Sequence, residues 1–125
     1  HGIVIVVEPL NRQECNVLTS VGESGRYVED VGHPAVRLLV DAYHWGKDDL
    51  SYDDIVTYGH LLRHVHISTV ASRLPPGQEP CDFTSFFRAL GETAYDGLLS
   101  IEARWSELPA QAAAAYQALK QLTMP

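Results

Sequence analysis

Four short apolar runs, each with an ionisable side chain at or near its end, restrict the fold of this chain more than any other feature. The runs lie at residues 3–8, 35–41, 64–68 and 97–102. The first two, IVIVVE and AVRLLVD, are rich in Val, Ile and Leu, which is typical of strands buried on both faces of a parallel sheet. Helix signals follow each run, so the sequence predicts four βα units of an α/β fold, joined by right-handed crossovers.

Helices are predicted after each strand, at residues 20–32, 52–62, 83–95 and 110–122. The first of them is predicted to be weak because Gly22 and Gly25 both lower helix propensity. Gly32 is a predicted C-cap, Asp82 is a predicted N-cap, and Pro109 is predicted to open the last helix.

Composition and charge restrict the partners of the chain. The 125 residues are enough for one modest domain, and the formal net charge of −7 argues against nucleic acid or an anionic membrane. No apolar run approaches the roughly 20 residues that cross a bilayer, and the start, HGIVIVVEPL, lacks the basic region of a signal peptide. Cys15 and Cys81 form no C-x-x-C motif. This usage favours a cytoplasmic protein with ordinary thiols, although a single disulfide between the two stays open.

The ends of the four predicted strands carry three carboxylates and one imidazole, namely Glu8, Asp41, His66 and Glu102. In parallel α/β folds the carboxyl ends of the strands meet at one edge of the sheet, where chemistry gathers. Four unpaired polar groups are costly to bury there, and one divalent cation would satisfy them all. Mixed oxygen and nitrogen ligands suit Mn²⁺, Mg²⁺ or Co²⁺. Any one of these residues alone could simply cap a helix, but the repetition on every strand favours a shared site.

Six segments of the sequence together resemble a known superfamily. They are EPLNRQE (8–14), LVDAYH (39–44), HVHIS (64–68), RLPPG (73–77), DFTSFFRALGETAYDG (82–97) and SIEAR (100–104). The combination resembles the sugar-phosphate isomerase/epimerase superfamily with the xylose isomerase-like TIM barrel, and within it the ketose 3-epimerases of the D-tagatose/D-psicose type. The resemblance runs along nearly the whole chain and maps to strands five to eight, the carboxyl-terminal half of the barrel.

The resemblance implies a metal-dependent sugar isomerase or epimerase. Its metal ligands would be Glu8, Asp41, His66 and Glu102. Glu8 and Glu102 would also be the catalytic pair that moves a proton next to the carbonyl of a ketose, through a cis-enediolate. Two carboxylates on opposite faces of the sugar can remove that proton and return it. His64, two residues before His66, is predicted to be an interior residue of the barrel.

The resemblance also implies that Glu14, His44 and Arg73 contact the hydroxyl groups of the sugar substrate. Two places depart from the pattern. The loop between His66 and Arg73 is about one residue longer than the family has, and CNVLTS after Glu14 replaces the usual aromatic and asparagine residues. The second departure bears on the identity of the sugar.

Four βα units are half of a TIM barrel, which needs eight. Residues 1–125 are therefore interpreted as a single half-barrel domain whose strands at 3–8 and 97–102 would be unpaired edges. Such edges invite association. The expected partner is either a missing amino-terminal half-barrel or another copy of the chain in a homo-oligomer.

A second functional class stays open beside the enzyme, namely a non-catalytic half-barrel that oligomerises or binds metal or sugar weakly. An abasic-site endonuclease of the same superfold is disfavoured by the acidic charge and by the shortage of histidines of the ligand type.

Overall fold

One sheet of four parallel strands forms the centre of the fold in the computed structural model, which describes residues 2–48 and 51–123. The strands are β1 (Ile5–Val7), β2 (Val36–Asp41), β3 (Leu62–Ile67) and β4 (Leu99–Ile101). They lie side by side in chain order, which is the arrangement of a segment of a βα barrel. Each predicted strand is therefore present, although the two edge strands are only three residues long.

The helices lie at α1 (Val21–Val31), α2 (Ala42–Lys47), α3 (Tyr52–Tyr58), α4 (Thr84–Glu92) and α5 (Leu108–Thr123), with a 3₁₀ turn at Gly59–Leu61. Gly32 ends α1 in the left-handed conformation, as predicted. The N-cap of α4 is Phe83, so the prediction of Asp82 is wrong by one residue. Asp82 instead accepts a hydrogen bond from the Thr84 N–H at 2.9 Å. Pro109 is the second residue of α5, because that helix begins at Leu108.

Helix α1 forms despite its two glycines, because these glycines let it approach α3 closely. A Cβ atom on Gly25 would lie 2.3 Å from the ring of Tyr58. A Cβ atom on Gly22 would lie 2.8 Å from the carboxylate of Asp54. The low helix propensity of glycine is therefore offset by tertiary packing.

The hydrophobic core lies between one face of the sheet and the helices. Leu38, Val40, Val65 and Ile67 are completely buried on this face, and Phe86 of α4 covers them. Successive side chains of a strand point to opposite faces, so Leu39 and Asp41 of β2 and His64 and His66 of β3 lie on a second face. It is called the polar face below, for its three ionisable side chains.

The edges of the sheet are open. Ile5 of β1 is 63% exposed, and Leu98 before β4 is 72% exposed. Cys15 and Cys81 are free thiols. Within residues 2–48 and 51–123, no helix combines the length and the apolar character that crossing a membrane requires.

Candidate metal centre

The strand register brings the predicted ligands to one place on the polar face. Asp41, at the end of β2, is the direct neighbour of His66 on β3. His66 is in turn the neighbour of Ser100 on β4, and Glu102 follows two residues later on the same face. Glu8 comes directly after β1. The parallel arrangement thus places all four side chains at the carboxyl edge of the sheet.

The four side chains form one compact group around the imidazole of His66. Each offers one ligand atom, and these atoms all lie within 4.8 Å of one another. His66 Nδ1 lies 3.5 Å from Glu8 Oε1, 3.6 Å from Glu102 Oε2 and 4.0 Å from Asp41 Oδ2. These separations suit atoms that surround a common centre.

Three atoms of this group are buried without a hydrogen-bond partner among the described residues. They are Glu8 Oε1, Asp41 Oδ2 and His66 Nδ1. Buried polar atoms in folded proteins are normally paired, so three orphaned atoms that face each other are an arrangement that fits a positively charged ligand. Three carboxylate oxygens and one imidazole nitrogen fit a divalent cation such as Mn²⁺, Mg²⁺ or Co²⁺.

Asp41 is held by the helix that follows it. The short helix α2, which the sequence did not predict, begins directly after Asp41, and Asp41 Oδ1 accepts a hydrogen bond from the Tyr43 N–H at 2.8 Å. Only Oδ2 is left to face the cluster. The side chain is 1% exposed, and burial, with Glu8 adding to it, raises the pKa of Asp41 to about 7.

The charges of the cluster act on each other. The carboxylate of Glu8 raises the pKa of His66 against the opposing effect of burial. Burial acts to raise the pKa of Glu102, but the guanidinium of Arg73 and the nearby His66 outweigh it, so this pKa is lowered. The positive charge of Arg73 therefore already stabilises the ionised form of Glu102, whereas burial disfavours the ionised form of Asp41.

Arg73 lies beside the four candidate ligands. Its Nη2 atom is 2.5 Å from Glu102 Oε2 and 3.7 Å from Asp41 Oδ2. Its Nη1 atom is 3.8 Å from Glu14 Oε2, and the guanidinium stacks 4.6 Å from the centre of the Tyr43 ring. The longer loop before Arg73 has therefore not moved it away from the site.

The loop that carries Arg73 is braced by Thr69 and Glu79, which the sequence reasoning did not single out. Arg73 has a φ of 57°, an uncommon conformation for a residue other than glycine. The Thr69 hydroxyl donates to the Glu79 carboxylate and accepts from the Leu74 N–H at 2.9 Å. Glu79 also accepts from the Ser72 N–H at 2.9 Å. This network holds the turn that presents Arg73.

Glu14 and His44 meet through Asn11, a second residue that the sequence reasoning passed over. Asn11 is 2% exposed, and its Nδ2 lies 2.8 Å from Glu14 Oε1 and 2.9 Å from His44 Nδ1. His44 is 2% exposed as well. The three predicted substrate contacts therefore lie around the cluster, with Asn11 between two of them.

His64 lies deeper on the polar face and does not belong to the group of four. Its Nε2 atom is 2.9 Å from Ser100 Oγ, and its ring centre is 5.1 Å from that of His66. Burial lowers the pKa of His64, and the neighbouring His66 adds to this effect. His64 is half-buried in this half-barrel, so its position in the interior of a closed barrel stays a prediction.

Comparisons with known proteins agree with the fold. The family described as a xylose isomerase-like TIM barrel matches residues 1–122. A ketose 3-epimerase from Arthrobacter globiformis is 33% identical over 102 residues, which are 81% of this chain and 35% of that protein. A 3-dehydro-D-guloside 4-epimerase from Escherichia coli is 32% identical over 116 residues, which are 89% of this chain and 43% of that protein.

Among solved structures, a D-allulose 3-epimerase from Methylomonas sp. in complex with D-allulose superimposes with a TM-score of 0.86 at 26% identity. The match covers 96% of this chain and 48% of that one. The chain thus spans less than half the length of these relatives, which is the share expected of half a barrel.

Proposed function

The chain belongs to the xylose isomerase-like TIM barrel family, and from this premise we propose that it is the metal-binding half of a sugar isomerase or epimerase. The reaction would move a proton on the carbon next to the carbonyl of a ketose. The observation that carries the proposal is the set of orphaned buried atoms on Glu8, Asp41 and His66, which face each other and Glu102.

The proposed division of work among the carboxylates follows from their contacts. Asp41 uses Oδ1 to cap α2 and has only Oδ2 for a cation, so it serves as a ligand and not as a base. Glu8 and Glu102 each turn one oxygen towards His66. The second oxygen of each carries no hydrogen bond within the described residues, so it is available to accept or return a proton.

In the proposed reaction, one of the two glutamates, as the carboxylate, removes the proton from one face of the carbon, and the other, in its protonated form, donates its own proton to the opposite face. Proton exchange with water then restores the starting protonation of the pair. Glu8, Asp41, His66 and Glu102 would hold a divalent cation, which would supply Lewis acidity for the negative charge that develops when the proton leaves. The positive charge of Arg73, 2.5 Å from Glu102, keeps that carboxylate ionised and ready to act as a base. Arg73, Glu14 and His44 would hold the sugar oxygens.

The first test is metal binding. Calorimetric titration with Mn²⁺ is expected to show one site in the parent and to lose it in His66→Ala and Asp41→Ala. His60→Ala and Asp53→Ala change the same residue types at exposed positions and should bind as the parent does. Equal binding by the parent and by His66→Ala would contradict the site.

The second test is catalysis. A panel of ketoses is incubated with metal-loaded protein in D₂O, and deuterium at C3 is followed by NMR. Exchange is expected in the parent and not in Glu102→Gln, while Asp96→Asn, an exposed acid near β4, should exchange normally. Metal binding without exchange on any sugar would favour the second class, a non-catalytic half-barrel.

The open sheet edges bear on both tests. We propose that another half-barrel covers them, either from the same longer protein or from a second copy of this chain. The exposed apolar residues Ile5 and Leu98 lie at opposite edges, where a continued sheet would bury them. Light scattering at several concentrations, with and without Mn²⁺, identifies the assembled sample on which exchange should be measured. A well-folded monomer at all concentrations would contradict pairing with a second copy.

A further inference from the structure

Asn11 is a buried residue at the start of an exposed turn, four residues after β1, and all of its polar groups are engaged. Its backbone carbonyl accepts from the N–H groups of Glu14 and Cys15, both at 3.0 Å. Its side-chain oxygen accepts from the Gln13 N–H at 3.1 Å, and its Nδ2 donates to Glu14 Oε1 at 2.8 Å. These two contacts fix the orientation of the amide, because only oxygen can accept and only nitrogen can donate.

The fixed amide determines what His44 Nδ1 can be. Two nitrogen atoms of Asn11 approach it, the backbone N–H at 3.1 Å and the side-chain Nδ2 at 2.9 Å. Both are donors, and a protonated Nδ1 would place an N–H against them. Nδ1 must therefore carry a lone pair, which leaves the ring neutral with its proton on Nε2.

The surroundings of His44 agree with a neutral ring. Burial lowers the pKa of His44, and the positive charge of Arg73 lowers it further, while Glu14 and Glu8 act in the opposite direction. The hydrogen bonds that the ring makes within the described residues all go to Nδ1. Nε2–H is therefore left to donate to a ligand.

We propose that Asn11 is a positioning residue that fixes His44 as the neutral Nε2–H tautomer, so that His44 donates a hydrogen bond to a carbonyl or hydroxyl oxygen of the sugar. The same amide aims the Glu14 carboxylate. One side chain thus sets a donor and an acceptor for neighbouring oxygens of one ligand. The nature of the ligand rests on the proposed function, whereas the tautomer does not.

The tautomer can be read directly. Long-range ¹H–¹⁵N spectra of the imidazole rings distinguish a lone-pair nitrogen from a protonated one, and the signals of His44 are assigned by their loss in His44→Gln. At neutral pH, in protein free of metal and sugar, we expect the Nε2–H pattern for His44. A proton on Nδ1, or a cationic ring, would overturn the proposal.

The variants test whether Asn11 is the cause. Asn11→Asp replaces the donating amide by a carboxylate and should shift His44 to the Nδ1–H or the cationic form. Asn16→Asp makes the same change at an exposed position nearby and should leave the His44 signals as in the parent. Unchanged His44 signals in folded Asn11→Asp would overturn the role of Asn11.

A third variant covers a failure of Asn11→Asp to fold. Asn11→Ala keeps the backbone donor and removes only the amide, so a mixture of tautomers supports the proposal. An unchanged pattern would mean that the backbone N–H alone fixes the tautomer, and it would overturn the role of the Asn11 side chain. Because these spectra need neither metal nor sugar, their outcome is independent of the exchange assay. If the parent protein shows the Nε2–H tautomer of His44 but exchanges no deuterium into any sugar, the result would count against the proposed function alone.

Discussion

The two faces of strand β3 differ in how their side chains are satisfied, by apolar packing on one face and by polar contacts on the other. Val65 and Ile67 point to the helices and are completely buried by packing. His66, between them in sequence, points to the opposite face and keeps an unpartnered Nδ1 among three carboxylates. The packed face is satisfied by apolar contacts, whereas on the polar face three buried polar atoms have no hydrogen-bond partner among the described residues. Stability and chemistry are thus assigned to alternate residues of one strand, and changes on the two faces should have different consequences.

The largest effect is expected from the packed face. Leu38→Ala removes a side chain that is 0% exposed, and such truncations cost about 2–5 kcal/mol of unfolding free energy. Urea denaturation should show this loss with or without Mn²⁺. Leu108→Ala, at a position 52% exposed, is the control and should stay within about 1 kcal/mol of the parent. Similar losses in the two variants would contradict the placement of the core.

The polar face should make metal-free protein sensitive to pH. The folded pKa of Asp41, about 7, lies above its ordinary value of 3.8, so protonation favours the folded state. This contribution is fully present below 3.8 and is lost as the pH rises through about 7. The raised pKa of His66 acts in the same direction, since its contribution is present below its ordinary value of 6.5 and is lost above it.

The unfolding free energy of metal-free protein is therefore expected to fall by a few kcal/mol over this range, as measured by urea denaturation at successive pH values. Asp41→Asn should flatten the profile, and Mn²⁺ should restore stability at the alkaline end by binding only the folded state. Asp53→Asn, an exposed control, should keep the slope of the parent. The same slope in Asp41→Asn as in the parent would refute this account.

A smaller effect is expected from Arg73, whose positively charged guanidinium already lies beside the carboxylates of the polar face. Arg73 lies 2.5 Å from Glu102 and 3.7 Å from Asp41, so it repels an incoming metal ion. Arg73→Gln should raise the Mn²⁺ affinity by roughly fivefold to tenfold, equivalent to about 1 kcal/mol, by calorimetry. Arg88→Gln, on α4 beside Tyr52, is the matched control. A weaker affinity in Arg73→Gln would mean that Arg73 organises the ligands instead of competing with the metal.

The smallest effects are expected from two glycines outside both faces, Gly77 in the Pro-Pro-Gly loop and Gly91 in α4. Gly77 has a φ of +87°, and an added Cβ would lie 3.0 Å from Ala118, so Gly77→Ala should lower the unfolding free energy by about 1 kcal/mol. Gly91, in the last turn of α4, has open space around it. Gly91→Ala should therefore raise the unfolding free energy by roughly 0.5–1 kcal/mol. Thermal unfolding distinguishes the two, and equal shifts would contradict the strain at Gly77.

The sequence predicted what depends on the strands. Apolar runs indicate strands locally, and the carboxyl ends of parallel strands lie along one edge of the sheet. The proximity of Asp41, His66 and Glu102 could therefore be predicted from their positions at the ends of strands. What the sequence did not predict depends on contacts between distant residues. The Asn11–His44 pair is 33 residues apart, and no local pattern distinguishes Asn11 from an ordinary turn asparagine.

The short elements illustrate the same limit. Helix α2 begins because Asp41 turns one oxygen back to the Tyr43 N–H, and the sequence there also reads as the end of a strand. The brace between Thr69 and Glu79 forms only when the Pro-Pro-Gly loop folds back on itself. In both cases the local sequence does not specify the contact, which forms only in the folded tertiary structure.

The most direct test of the central claim is the position of a bound metal. Crystals of the assembled protein are grown with Mn²⁺, and the anomalous scattering of manganese locates the ion without reference to any assumed site. We expect one peak on the polar face of each half-barrel, within coordination distance of Glu8, Asp41, His66 and Glu102, and no such peak in crystals of His66→Ala. A manganese peak elsewhere, or none in crystals where the four side chains keep their arrangement, would contradict the central claim.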